Sequence, residues 1–267
     1  MGSGYVGVLT MSILANYFKR VKINILDKYQ TILDKWNNAG KALKQLSNNK
    51  SNIKNTNNLF NNKGHVEGII NTNNENHLEN SISKITLPII ENNLKNYFIN
   101  VYEKNLFFKH SLKEEEIANS DIIFICVNTP SSKEPKMTDN FDVNYISSLV
   151  SRGIQLSLDN VFSSLEFICD SILKTNKFQM VFKKRILIQK STVQIETLKF
   201  IREFIINFFK KNVLILKKII REECESSNDN NYLQKFSAEE DVEKFVDEYF
   251  LLVNIPEFLA EGKIILQ

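Results

Sequence analysis

The chain has 267 residues, 43% hydrophobic and 24% charged, with 34 Lys and Arg against 31 Asp and Glu for a formal net charge of +3. That length and apolar content supply a core for one large or two small domains, and the scattered, nearly balanced charge argues against a nucleic-acid surface. No apolar run reaches the roughly 18 residues a membrane-spanning helix needs, no signal-peptide pattern stands at the start, and three cysteines fit a reducing compartment, so a cytoplasmic protein is expected.

The chain opens on MGSGYVGVLT, in which Gly2, Gly4 and Gly7 have the G-x-G-x-x-G spacing of a dinucleotide-binding turn. In such a turn the first glycine permits the tight bend and the second lets backbone approach a pyrophosphate. The third lets the next helix pack on the sheet, and the pyrophosphate rests on that helix's N-terminus. TMSILANYFKR follows as a helix, apolar at Met11, Leu14, Ala15 and Phe18. VKINILD then alternates Val21, Ile23 and Ile25 with Lys22 and Asn24, as a strand does. Asp27 ends it about 20 residues past the last glycine, where a dinucleotide fold places the acid that binds the adenosine ribose. The alternative for Asp27 is a turn residue at a strand end. Turn, helix, strand and acid in this order favour the cofactor reading, and an acid here favours NAD over NADP because it repels a 2′-phosphate.

Residues 47–80 are dominated by Asn and show little apolar periodicity, so they read as a disordered insertion. His65 and His77 fall inside it and are expected in a solvated loop rather than on a metal. Deleting 47–80 is expected to leave stability nearly unchanged. Order returns at LPIIENNLKNYF, and KNLFFKHS reads as a short strand. The apolar run 122–127 suits a strand buried on both faces of a parallel sheet, and KKRILIQ at 183–189 is a second such strand. LKFIREFIINFFKK is an amphipathic helix, apolar at Leu198, Ile201, Phe204, Ile205 and Phe208. EYFLLVNIPEFLAEG reads as a third buried strand with a loop at its end. Residues 151–182 and 217–247 take no clear element and are expected to be surface additions. Alternating β and α predicts an α/β fold with a doubly wound parallel sheet, whose ligands bind beyond the carboxyl ends of the strands.

Four of the loops at those ends carry unusual sequence: GSGYVG, VNTP at 127–130, KSTV at 190–193 and PEFLAEG at 256–262. In this order, each after its strand, they resemble the N-terminal NAD-binding domain of the UDP-glucose 6-dehydrogenases, within the UDP-glucose/GDP-mannose dehydrogenase family. KNLFF at 104–108 resembles the eukaryotic members, and Trp36-Asn37 and Leu87-Pro88-Ile89 look like one family segment split by the Asn-rich stretch. The resemblance implies a Rossmann-like domain across 1–267 with insertions near 47–80, 151–182 and 217–247. It implies that Gly2, Ser3, Gly4, Tyr5, Val6 and Gly7 hold the NAD pyrophosphate and Asp27 the ribose. By the same resemblance Val127, Asn128, Thr129, Pro130 and Ser131 line the cofactor, and Ser191, Thr192 and Val193 lie near its nicotinamide end. Glu257, Phe258, Leu259, Ala260 and Glu261 would frame the sugar nucleotide, with Glu261 reaching toward the nicotinamide. Glu257 would manage the proton of a hydrolytic water that Thr192 helps to place. The family oxidises UDP-glucose to UDP-glucuronate with two NAD, and the complete enzyme is expected to be a homo-oligomer.

Several positions depart from the family pattern. Ile32 stands for an arginine, Gln189 for a glutamate, Gln194 for a proline and Lys263 for a threonine, while Ile255 is an extra residue before Pro256. The family's first strand would precede Gly2, and its nucleophilic cysteine belongs to a G-F-G-G-S-C segment of a second half. None of Cys126, Cys169 and Cys224 matches that segment. The expectation is a partial sequence that binds NAD at most and does not turn over UDP-glucose by itself. A sister enzyme acting on UDP-N-acetylmannosamine or GDP-mannose, and a non-catalytic NAD-binding module, remain open alternatives.

Overall fold

The computed structural model describes residues 1–61, 85–89, 91, 93–130, 158–193, 197–227 and 240–256, with side chains described outside 49–61, 226–227 and 240. The chain divides into two units, Val8–His110 and a second formed by Met1–Gly7 with Ser111–Gln267.

Helix α1 (Tyr5–Tyr17) spans the boundary and ends in the unit Val8–His110, which also holds β1 (Ile23–Leu26), α2 (Gln30–Asn61), α3 (Leu94–Val101) and β2 (Leu106–Lys109). The strands β1 and β2 are parallel, in register from Ile23 with Leu106 to Leu26 with Lys109. Helix α2 turns Leu33, Trp36 and Leu43 inward at helical spacing, against Phe98 and Val101 of α3 and Phe108 of β2. Trp36 stacks on Phe108 with ring centroids 5.5 Å apart. Gly40 lies in the same stripe, where a Cβ would stand 2.6 Å from the Tyr102 ring, so only glycine lets that ring rest on the helix. Burial, helped by the neighbouring Glu103 carboxylate, pushes the Tyr102 phenol up to about 12. The Asn105 amide donates to the carbonyls of Ala15 at 2.8 Å and Phe18 at 3.2 Å, closing the end of α1, where carbonyls lack intrahelical donors.

The expected strand at VKINILD and the strand at KNLFF are both present. The Asn-rich stretch differs from its reading, because α2 continues through it to Asn61. Asn lies in the weak part of the helix scale, yet each costs less than about 0.7 kcal/mol relative to Ala, so a helix can run on from a packed start. Residues 62–80, with His65 and His77, lie outside the described residues.

The other unit adds α4 (Glu114–Ala118), β3 (Ile122–Ile125), α5 (Asp159–Lys174), α6 (Phe178–Val181), β4 (Arg185–Gln189), α7 (Thr197–Lys211), α8 (Val213–Ser227), α9 (Glu240–Tyr249) and β5 (Phe250–Asn254). Its strands form a parallel sheet in the order β3-β4-β5. Register runs from Ile122 with Ile186 to Ile125 with Gln189, and from Arg185 with Phe250 to Gln189 with Asn254. Met1 adds one rung to the far edge of β3: its amino group donates to the Phe124 carbonyl, and the Cys126 N–H donates to the Met1 carbonyl at 2.7 Å. Those two bonds flank Ile125 in the manner of a parallel ladder.

The core of this unit corrects the expectation of surface additions. Within 151–182, α5 buries Val161, Phe162, Leu165, Ile168, Cys169 and Ile172, and within 217–247, α8 and α9 bury Ile219, Ile220, Val242, Phe245 and Val246. Side chains at helical spacing join one core with Ile123, Ile125 and Leu187 of the sheet, and each full burial of such a group is worth about 1.5–3 kcal/mol. Phe162 stacks on Phe204 of α7 at 5.2 Å, and Phe209 meets Phe245 at 5.0 Å. The strands are less enclosed than an apolar run suggests, because β3 and β5 are the outer members of the sheet. Ile122 is 50% exposed and Leu251 59%. The α/β class with parallel strands holds in both units.

Arg185, at the start of β4, is a buried cation among carbonyls. It donates to Ala118 O at 3.1 Å, Met180 O at 2.5 Å and Val181 O at 3.5 Å, and lies 5.1 Å from the centre of the Phe250 ring. Ala118 and Val181 are the last residues of α4 and α6, so one guanidinium meets the negative ends of two helices. Burial lowers its pKa to about 10, which leaves it protonated at neutral pH.

Candidate functional site

The three glycines of the opening turn meet three different surroundings. Gly2 has φ +96°, a conformation that costs an L side chain, and a Cβ there would stand 2.2 Å from the Cys126 carbonyl oxygen. Gly7, in the first turn of α1, would place a Cβ 2.2 Å from the Gly2 carbonyl oxygen and 3.3 Å from the Cys126 Cβ. Gly4 would meet nothing within 4 Å. The first glycine therefore makes the bend, the third lets α1 close onto the turn and the end of β3, and the second keeps open space beside exposed backbone. Ser3 is buried, whereas Gly4 and Tyr5 are exposed at the start of α1. The first N–H groups of a helix have no intrahelical acceptor and suit an anion, so the turn fits a dinucleotide pyrophosphate on the open side of Gly4.

Two further loops leave the carboxyl edge of the same sheet. After β3, Val127, Asn128, Thr129 and Pro130 run outward. The Thr129 hydroxyl donates to the Thr192 carbonyl at 2.6 Å, and the Asn160 amide on α5 donates to the Asn128 carbonyl at 2.8 Å. After β4, the Lys190 and Ser191 N–H groups converge on the Ile125 carbonyl at 2.9 and 3.1 Å, and the Ser191 hydroxyl reaches the same oxygen at 3.3 Å. Ser191 is buried and committed to the sheet, Val193 is part of the hydrophobic core, and Thr192 between them is exposed. Of the three residues read as facing a ligand, Thr192 is the one whose side chain is presented outward. Ser191 and Val193 leave chiefly backbone for that purpose. Asn160 carries no signal in the sequence, because residues 151–182 show no clear element there.

Asp27 lies in the other unit, just past β1. Its Oδ1 accepts the Tyr29 N–H at 2.9 Å, so the carboxylate is held by the turn it starts. That is the turn role that stands as the alternative, and it also fixes the direction of a half-buried acid. Ser131, Glu257, Phe258, Leu259, Ala260 and Glu261 lie outside the described residues.

The family model for the UDP-glucose/GDP-mannose dehydrogenase family, NAD binding domain, matches residues 54–267. The chain belongs to that family. The match takes in VNTP, KSTV and PEFLAEG, and the glycine turn and Asp27 lie upstream of it. No curated protein matches the chain. Members of the UDP-glucose/GDP-mannose dehydrogenase family are NAD-dependent oxidoreductases acting on sugar nucleotides, so NAD is the cofactor of this domain.

The thiols do not contribute a nucleophile. Among the described residues none of Cys126, Cys169 and Cys224 forms a disulfide, and all three are buried. Burial pushes the Cys169 thiol up to about 12, far from the thiolate a nucleophile requires. Among the described residues, no helix is long and apolar enough to cross a membrane.

Proposed function

We propose that this chain is the cofactor domain of a UDP-glucose 6-dehydrogenase, which converts UDP-glucose to UDP-glucuronate with two NAD. The observation that carries the NAD part of this reading is the division of labour among Gly2, Gly4 and Gly7, with two glycines demanded by close backbone and one left open. In the proposed site, backbone from Gly2, Ser3, Gly4, Tyr5, Val6 and Gly7 holds the pyrophosphate and Asp27 takes the ribose hydroxyls. Val127, Asn128, Thr129, Pro130 and Ser131 line one side, and Ser191, Thr192, Val193 and Glu261 the nicotinamide end. When bound, NAD supplies the acceptor for hydride from the sugar's C6.

Glu257, with Phe258, Leu259, Ala260 and Glu261, is assigned to the sugar nucleotide. A carboxylate at Glu257 serves as general base toward the hydrolytic water that releases the oxidised sugar, and the exposed Thr192 helps to hold that water. Support for UDP-glucose itself comes from KNLFF and PEFLAEG in the sequence. Oxidation of UDP-N-acetylmannosamine or GDP-mannose would use the same cofactor chemistry. A homo-oligomer in the cytoplasm completes the proposal.

Calorimetric titration of the chain with NAD and NADP tests the cofactor site. NAD is expected to bind and NADP to bind more weakly, with Asp27→Ala narrowing the difference. A chain that binds neither, or prefers NADP, overturns the assignment of Gly2 to Gly7 and Asp27. Titration with UDP-glucose, UDP-N-acetylmannosamine and GDP-mannose in saturating NAD then ranks the sugar nucleotides. Preference for either of the last two replaces UDP-glucose in the reading.

A further inference from the structure

Gln189, the last residue of β4, is 2% exposed, and neither its amide nitrogen nor its oxygen has a hydrogen-bond partner among the described residues. A carboxamide can make four hydrogen bonds, and buried polar groups are so regularly paired that one left with none needs a reason. Its register partner on β5 is Asn254, whose side-chain oxygen is also buried without a partner. Register partners on parallel strands carry their side chains on the same face, about 5 Å apart. The whole Gln189 amide and the Asn254 oxygen are thus without partners among the described residues at the carboxyl edge of the sheet. Ile125, the partner of Gln189 on β3, is buried and adds an apolar flank.

The place of this pair matters as much as its chemistry. Met1, β3 and β4 lie side by side, so β4 is two strand spacings, about 10 Å, from the line that enters the glycine turn. A ribose and a pyridine ring extending from a pyrophosphate on that turn span such a distance. We propose that Gln189 and Asn254 form the recognition pair for the ligand's own carboxamide, the amide on the nicotinamide ring. One amide meets another through a donor and an acceptor each, which is the complement this pair leaves open. Gln189 has a flexible side chain whose rotamers can bring its amide from its covered position toward the strand end. This inference rests on the NAD reading of the turn.

Three ligands separate the two. NAD carries the ring amide, 3-acetylpyridine adenine dinucleotide replaces its NH₂ by a methyl group, and ADP-ribose lacks the ring. The full chain is expected to bind NAD more tightly than the acetyl analogue. In Gln189→Met, NAD affinity is expected to fall roughly tenfold, the scale of losing one or two hydrogen bonds. ADP-ribose affinity should stay unchanged, and the unliganded melting temperature should not fall, because an unpaired buried amide has been removed. Asn254→Leu on the outer strand carries the same test if the first variant does not fold. Equal loss of NAD and ADP-ribose, or unchanged NAD affinity in both variants, overturns the pair's role while leaving the NAD site intact. A wild-type chain that binds neither NAD nor ADP-ribose overturns the cofactor reading and this inference with it.

Discussion

Adding a single methyl group at each glycine of the turn separates folding from binding. At Gly7 alanine improves intrinsic helix propensity by about 1 kcal/mol. Its Cβ would nevertheless stand 2.2 Å from the Gly2 carbonyl oxygen, which is backbone and cannot swing aside. Overpacking of this kind costs about 1–3 kcal/mol, and more where backbone must move. At Gly2 alanine meets the Cys126 carbonyl at 2.2 Å and must also hold φ +96°, a conformation that adds about 1–2 kcal/mol. Gly2→Ala and Gly7→Ala are therefore each expected to lower unfolding free energy by at least about 2 kcal/mol. At Gly4 nothing stands within 4 Å, so alanine costs only the change at a helix start, about 1 kcal/mol or less. Its methyl group would occupy the space assigned to the pyrophosphate, so NAD binding should be lost in a chain of nearly normal stability. Urea denaturation and calorimetric NAD titration of the three variants read both quantities. Gly4→Ala binding NAD as tightly as the wild type would refute the open-cradle argument, and Gly7→Ala as stable as the wild type would refute the packing argument.

Arg185→Met removes the cation from the carbonyls of Ala118, Met180 and Val181. Leaving buried acceptors unpaired costs about 1–3 kcal/mol each, partly offset by apolar burial of the thioether, so a net loss of about 3 kcal/mol is expected in urea denaturation. Arg202 holds Asp247 through two bonds of 2.8 Å, which together with its charge keep the carboxyl below the usual aspartate range. A lowered folded-state pKa contributes stability above the unfolded value of about 4 and loses it as pH falls through the folded value. Asp247→Asn should then cost about 0.5–1 kcal/mol at pH 7 for so exposed a pair, with the difference from wild type vanishing in acid, as thermal melts between pH 7 and 2.5 would show. With all three thiols buried, a chromogenic disulfide reagent should find no fast-reacting cysteine in the native chain and three in denaturant. One rapid native thiol would contradict the burial of Cys126, Cys169 or Cys224.

The parts of the fold legible in the sequence are those where period and punctuation agree. Val21, Ile23 and Ile25 alternate before Asp27, RILIQ is apolar between lysines, and the stripe from Leu198 to Phe208 repeats at helical spacing. Helix α5 carries the same kind of stripe at Val161, Leu165, Ile168 and Ile172, but its start is hidden. Leu158 stands at its N-cap with no side-chain cap, so the usual Ser, Thr, Asp or Asn signal is missing. The continuation of α2 to Asn61 is hidden for the opposite reason. Asn reads locally as a turn or disorder residue, while a helix already begun needs only weak propensity per added residue.

The same limit governs the site. Glycine spacing identified the turn, but which glycine is crowded and which is open depends on where the Cys126 carbonyl and the start of α1 come to lie. Gln189 looks in sequence like one more polar residue after an apolar strand, and its lack of partners among the described residues exists only once β4 and β5 are in register. Asp27 shows why the turn and ligand readings were never exclusive. The Tyr29 N–H that makes it a turn residue also fixes the carboxylate proposed to take a ribose. A group already oriented gives up less freedom on binding, so the local bond that looks like a rival explanation strengthens the functional one.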